Sequence, residues 1–136
     1  MSPRAAEESL VVFVCLHGSA KSLIAAEHLT RLARARGVSL RGESLGLEPD
    51  PEVPVHVVSG LAADGVDVRG YIPRLASPDS LADATRIVSF GCDLGSLVPR
   101  ATNVERWDGL PMVSDGYASA RDAIVARVEA LFDDLS

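Results

Sequence analysis

One cysteine in this sequence stands where a thiol can act as a nucleophile. Cys15 ends an apolar, β-branched run at residues 10–15, and the small residues of the next stretch, LHGSAKS, allow the backbone to curl before a helix begins. Amide groups that converge in such a loop, together with the positive helix N-terminus, bind an anion and stabilise a thiolate. The pattern therefore predicts a nucleophilic Cys15 beside a site for a phosphate-like oxyanion.

The basic residue of the same loop is unusual for this chain. Lys21 is the single lysine among 13 basic residues, and it follows the cysteine by six positions. A compact ammonium there suits the binding of an oxyanion. We expect a phosphate-, sulfate- or arsenate-like ion to be held by the loop that follows the cysteine: Leu16, His17, Gly18, Ser19, Ala20 and Lys21.

The elements that position this loop are predicted from the spacing of apolar residues. Short β-branched runs indicate strands, and apolar residues that recur every three or four positions indicate helices. The predicted strands are residues 10–15, 38–45, 86–90 and 104–107, and the predicted helices are residues 22–36, 55–64 and 79–84 and a final one marked by Ile124, Val128, Leu131, Phe132 and Leu135. This alternation implies an α/β fold in three layers, with a parallel sheet flanked by helices and a ligand at the carboxyl ends of its strands.

Composition narrows the possible functions. The chain has 136 residues and a net charge of −6, with both signs of charge scattered, so we expect one domain over residues 1–136 and no nucleic-acid or membrane partner. The longest apolar run is far shorter than the roughly 20 residues that cross a bilayer, and the first residues lack a signal-peptide profile. A cytoplasmic location is the expectation, and we expect no metal and no cofactor.

The order of these features resembles the low-molecular-weight protein tyrosine phosphatases and the thioredoxin-coupled arsenate reductases. That superfamily carries Cys, five residues and Arg-Ser between its first strand and first helix, where this sequence has Cys15, five residues and Lys21-Ser22. Residues 44–46 (SLG) stand where the superfamily has Ser-Ala-Gly. The resemblance implies a four-stranded parallel sheet, Cys15 as nucleophile, the loop amides as oxyanion cradle and Ser22 as the hydroxyl that steadies the thiolate.

The loop departs from the superfamily pattern at three positions. Lys21 keeps the positive charge but lacks the planar guanidinium that grips two oxygens at once, so weaker transition-state stabilisation is expected. His17 and Gly18 replace the usual Gly-Asn and remove a side-chain amide that helps to hold the loop. His17 either hydrogen-bonds the thiolate or ligand, or faces solvent.

The proton donor is less evident, because the sequence has no Asp-Pro pair after Trp107. The resemblance favours Asp115 as the general acid, since Asp115-Gly116-Tyr117 has the order of the superfamily's Asp-x-Tyr. Asp108, directly after the tryptophan, is the alternative. Asp115 could instead cap the last helix.

The second cysteine, Cys92, stands near the first of the two further cysteines on which thioredoxin-coupled arsenate reductases depend. A third cysteine is absent from the sequence, so their complete disulfide relay cannot form. Cys92 is either a redox partner of Cys15 in a shortened cycle or a buried structural residue.

Three functions remain open. The first is a cysteine-dependent phosphatase that hydrolyses a phosphotyrosine or a small phosphomonoester through a Cys15 phosphoenzyme. The alternatives are an arsenate reductase-like thiol enzyme and a non-catalytic domain of the same fold that binds an oxyanion or a protein. Aromatic residues are scarce, and the candidates to contact a phosphotyrosine ring are Trp107, Tyr117 and Tyr71.

Overall fold

The chain folds into a four-stranded parallel sheet covered by helices on both faces. The computed structural model describes residues 8–98 and 104–135. The strands are β1 (Ser9–Cys15), β2 (Leu40–Gly46), β3 (Arg86–Ser89) and β4 (Val104–Arg106), and the helices are α1 (Lys21–Arg36), α2 (Val55–Ala63), α3 (Pro78–Ala82) and α4 (Tyr117–Leu135). The spatial order of the strands is β2-β1-β3-β4, and every pairing is parallel. The predicted α/β fold class and four-stranded parallel sheet are thus confirmed.

Burial on both faces of the sheet follows from the alternation of side chains along β1. Val11 and Phe13 belong to a core cluster with α1, α2 and α4, whereas Val12 and Val14 belong to a second cluster with α3 on the other face. Successive side chains of a strand point to opposite faces, so a strand buried on both sides must be apolar throughout. This is why β1 is apolar from Leu10 to Cys15.

The helix after the loop is amphipathic and ends where the sequence predicts. In α1 the side chains of Leu23, Ala26, Leu29 and Ala33 are buried against the sheet. Gly37 then adopts φ 68°, a left-handed conformation that terminates the helix.

Several element boundaries differ from the expectation by one or two residues, and two of these differences have a clear cause. The second strand begins at Leu40 instead of residue 38, because Val38 still donates its N–H to the carbonyl of Ala33 at the end of α1. The third helix begins at Pro78 because the Ser77 side chain accepts a hydrogen bond from the amide of Ser80 in a capping box. Within the two described segments, no helix is long and apolar enough to span a membrane.

Candidate active site

The predicted nucleophile lies where parallel α/β sheets bind their ligands. Cys15 ends β1, and the chain leaves β1 toward β2 on one side and reaches β3 on the other. A crevice opens at such a reversal of strand order, at the carboxyl ends of the strands. The Cys15 side chain is almost fully buried; its Sγ lies 3.2 Å from the donating amide of Gly18 and 2.9 Å from Ser22 Oγ.

A chain of three polar groups extends behind the thiol. Ser22 Oγ lies 2.7 Å from Ser44 Oγ, and the Ser44 hydroxyl is 3.2 Å from the carbonyl oxygen of Gly18. Each hydroxyl carries one proton, so the chain has two possible directions. With a Cys15 thiolate, Ser44 donates to Ser22 and Ser22 donates to sulfur; with a thiol, the donation runs outward to Gly18.

Two glycines make the loop possible. Gly18 has φ 63°, and a Cβ there would lie 2.8 Å from the backbone nitrogen of Gly46. A Cβ on Gly46 would lie 2.7 Å from the nitrogen of Gly18, so the two backbones meet with no room for a side chain on either residue. The residue after the buried Ser44-Leu45 pair therefore has to be glycine.

The segment that follows β2 braces the loop along its length. The amide of Glu48 donates to the carbonyl of Leu16 at 2.7 Å, and the amide of Asp50 donates to the carbonyl of His17 at 3.1 Å. Ser19 Oγ donates to Asp50 Oδ2 at 2.6 Å. These bonds hold the loop in the absence of the side-chain amide that the superfamily pattern places there.

The loop opens into a cavity of about 340 Å³. Its lining consists of loop residues and of side chains from three other parts of the chain: Cys15, Leu16, His17, Ser19, Ala20, Lys21, Asp50, Pro54, His56, Phe90, Cys92, Met112, Val113 and Ser114. The amides of Ser19, Ala20 and Lys21 have no acceptor within the described residues, as expected for the start of a helix. They remain available to a bound anion.

The walls of this cavity are mainly apolar, and one aromatic side chain contributes to them. Phe90 lies in the lining, packed edge-on against the buried Trp107 at 5.4 Å between ring centroids. The aromatic residues considered from sequence have other partners, since Tyr117 hydrogen-bonds Asp64 and Tyr71 hydrogen-bonds the carbonyl of Ser44. None of those three lines the cavity.

The predicted general acid is not among the lining residues. Asp115 is exposed at the end of a short 3₁₀ helix, next to Ser114, which does line the cavity. Asp108 is paired with Arg106 at 3.1 Å. Asp50 is the carboxylate that lines the cavity in the part of the chain that the structure describes, and sequence reasoning did not single it out.

The second thiol shares the cavity with the first. Cys92 lines it from the loop after β3, where Ser89 Oγ accepts from the Cys92 amide and donates to its carbonyl. Burial raises the pKa of the Cys92 thiol, and the negative charge that Cys15 can carry raises it further. The raised pKa fits a partly buried structural cysteine, yet Cys92 lines the same cavity as Cys15.

The fold is that of the low-molecular-weight phosphatase-like α/β proteins. The chain is 28% identical over 131 residues to a putative arsenate reductase of Halobacterium salinarum, covering 91% of each chain. No protein-family model matches it.

Solved structures of both branches of the superfamily share this fold. A thioredoxin-dependent arsenate reductase of Corynebacterium glutamicum superposes with a TM-score of 0.78 at 23% identity, covering 96% of this chain and 63% of that one. A low-molecular-weight protein tyrosine phosphatase from Bacillus subtilis superposes with a TM-score of 0.75 at 17% identity, covering 90% and 95%. The comparisons confirm the predicted resemblance to this superfamily. The matched proteins include both an arsenate reductase and a tyrosine phosphatase.

Proposed function

We propose that the protein is a cysteine-dependent phosphatase that hydrolyses a phosphomonoester through a Cys15 phosphoenzyme. The observation that carries this proposal is a thiol hydrogen-bonded by Gly18 and Ser22 at the edge of an apolar-walled cavity. Apolar walls contribute nothing to the binding of an inorganic oxyanion, but they can contact and bury the organic group of a phosphomonoester. Unpartnered amides and Lys21 in the same lining supply donors for the phosphoryl oxygens.

The reaction follows from these groups in two displacements. The Cys15 thiolate attacks phosphorus, the S–P bond forms, and the bond to the leaving oxygen breaks as that oxygen takes up a proton. Water then attacks phosphorus, the S–P bond breaks, and the sulfur departs again as a thiolate. The loop amides and Lys21 hold the charge of the equatorial oxygens throughout, the main contribution a protein makes to phosphoryl transfer.

Hydrolysis of an aryl phosphate by the purified protein tests this proposal. We expect turnover, and mass spectrometry of acid-quenched protein should find one phosphoryl group on Cys15. Cys15→Ser should abolish turnover, and Cys92→Ser, which changes the other thiol of the cavity, should retain it. Turnover that survives Cys15→Ser would overturn the proposal.

The presence of Cys92 in the same cavity supports a second candidate, an arsenate reductase-like thiol enzyme. The Cys15 thiolate would attack arsenate and displace water, and Cys92 would then attack the Cys15 sulfur. The S–S bond forms as the S–As electron pair stays on arsenic, so two thiols are oxidised, arsenic(V) becomes arsenic(III), and an external dithiol restores the enzyme.

The two candidates depend differently on Cys92. Arsenite release from arsenate and a dithiol should disappear in both Cys15→Ser and Cys92→Ser, whereas phosphatase turnover should disappear in the first variant alone. Oxyanion binding with neither turnover would assign the non-catalytic role.

A further inference from the structure

We propose that His17 is the general acid of this site and that Asp50 is the residue that positions it. This inference rests on the proposed phosphatase function. It assigns the leaving-group proton to Nε2 of an imidazole in the cysteine loop itself, in place of the Asp115 carboxylate favoured by the sequence.

The hydrogen bonds of His17 determine which ring nitrogen is available. Nδ1 lies 3.1 Å from the carbonyl oxygen of Glu48 and 3.5 Å from Asp50 Oδ1. A carbonyl oxygen can only accept, so Nδ1 carries a hydrogen and donates it. The proton exchanged with a ligand is therefore the one on Nε2, and the tautomer is fixed as it is in other histidines oriented by a carboxylate.

Asp50 is held so that it can orient the imidazole. Its amide donates to the His17 carbonyl at 3.1 Å, and its Oδ2 accepts from Ser19 Oγ at 2.6 Å, which leaves Oδ1 directed at the ring. Oδ2 is occupied by the Ser19 hydroxyl, and Oδ1 lies at ion-pair distance, 3.5 Å, from His17 Nδ1. The carboxylate is suited to stabilise the imidazolium that His17 must form before it donates.

The other titratable side chains of the lining fit the role less well. They are Cys15, Lys21, His56 and Cys92. Cys15 is the nucleophile, Lys21 is suited to the phosphoryl charge, and the pKa of the Cys92 thiol is raised by burial. His56 and His17 are both exposed, but His56 lies on α2, whereas His17 is two residues from the nucleophile in the loop itself.

The proton balance of the two displacements closes on this residue. In the first, the Nε2–H proton of the imidazolium passes to the leaving oxygen as its bond to phosphorus breaks. In the second, neutral Nε2 accepts a proton from the attacking water as oxygen binds phosphorus. His17 ends in its starting form, and the net products are an alcohol or phenol and inorganic phosphate.

The dependence of rate on the leaving group tests this assignment. His17→Gln should lower kcat/KM for phenyl phosphate by about 100-fold or more, the contribution typical of a general acid. It should lower kcat/KM for 2,4-dinitrophenyl phosphate, whose leaving oxygen needs no proton, by about threefold at most. Asp50→Asn should show a smaller effect with the same selectivity for phenyl phosphate.

The controls test the role of His17 separately from the proposed phosphatase activity. Asp115→Asn, which removes the carboxylate favoured by sequence, should leave both substrates unaffected. Equal losses on the two substrates in His17→Gln would show a structural role and overturn the inference, as would no loss, while an active parent protein would leave the phosphatase standing. A parent protein that hydrolyses neither substrate would overturn both.

Discussion

At the scale of single residues, the thiol of Cys15 depends on the direction of the hydroxyl chain behind it. Loss of its proton requires Ser22 to turn toward sulfur and Ser44 to turn toward Ser22, and Gly18 supplies a backbone donor that needs no rearrangement. Hydrogen bonds to a charged group are stronger than those between neutral groups. A negatively charged sulfur at this position would therefore accept hydrogen bonds from both Gly18 and Ser22.

The first prediction is that Ser22→Ala slows alkylation of Cys15. A hydrogen bond to a charged group contributes about 1.5 kcal/mol, so the rate with iodoacetamide near pH 7 should fall about tenfold. In the parent protein Cys15 should react faster than Cys92, whose thiol pKa is raised by burial. Peptide mass spectrometry measures both rates in one sample.

A matched control for that experiment is Ser89→Ala. It removes another buried serine hydroxyl, one that bonds Cys92 and not Cys15. The Cys15 rate should be unchanged in this variant. An unchanged Cys15 rate in Ser22→Ala would instead mean that Ser22 does not stabilise the thiolate.

At the scale of elements, the site is a junction between β1, the loop and the end of β2. The strand register pairs Cys15 with Gly46 and so brings Gly46 against Gly18. The same register places Ser44 behind the thiol. The conformation of the loop thus depends on the pairing of β1 with β2 as much as on the loop's own sequence.

The second prediction compares two glycines with the same backbone conformation. Gly37 has φ 68° and open space where the methyl group of an alanine would stand, so Gly37→Ala should cost only the left-handed strain of about 1 kcal/mol in unfolding free energy. Gly18 has φ 63°, and a methyl group there would in addition meet the backbone nitrogen of Gly46 at 2.8 Å. We expect Gly18→Ala to cost clearly more and to abolish oxyanion binding.

Chemical denaturation and phosphate titration of the two variants check this prediction. Retained phosphate affinity in Gly18→Ala would show that the loop is not the anion site. An equal loss of unfolding free energy in the two variants would show that the close approach of Gly18 to Gly46 does not add to the cost of a methyl group at Gly18.

The same elements explain how far the sequence alone predicts the site. The run β1, loop and α1 is predicted correctly because its apolar pattern, small residues and Gly37 stop are local signals. Asp50 and the role of Ser44 are missed because they act on the loop from more than 20 residues away, through the register of β2. The sole early sign of Ser44 is the likeness of residues 44–46 to Ser-Ala-Gly, and Asp50 lies within a proline-rich turn that resembles an ordinary connection.

At the scale of the whole molecule, a polar cluster joins three helices on one face of the sheet. Asp64, at the end of α2, accepts from Arg121 at 2.8 Å and from Tyr117 at 3.3 Å, both on α4. His28 of α1 approaches Asp64 with Nε2 at 3.6 Å. Burial lowers the pKa of His28 and outweighs the opposing attraction of Asp64.

The third prediction follows from that shift. Below the ordinary value of 6.5, the unfolded chain binds a proton at His28 that the folded protein resists, so the free energy of unfolding should fall as pH drops from 7 to 5. His28→Gln should make that fall shallower, and His56→Gln, at an exposed position, should not. Urea denaturation at three pH values measures the slopes; identical slopes in all three proteins would contradict the assignment to His28.

The last prediction couples the anion site to the stability of the whole fold. A ligand that binds only the folded protein stabilises it, and at ten times its Kd the gain is about 1.4 kcal/mol, or a rise of about 5 °C in Tm for a domain of this size. Phosphate, sulfate or arsenate should each raise Tm of the parent protein, and the rise should be largely lost in Lys21→Ala.

Lys21→Arg tests whether Lys21 is only a weaker substitute for arginine or whether the loop conformation is adapted to lysine. Because Asp50 and Gly46 brace this loop tightly, we expect the longer planar head to be misaligned and the oxyanion to stabilise Lys21→Arg less than the parent. Differential scanning fluorimetry across an oxyanion titration measures this stabilisation. A larger rise in Tm for Lys21→Arg than for the parent would contradict the expectation that the loop is adapted to lysine.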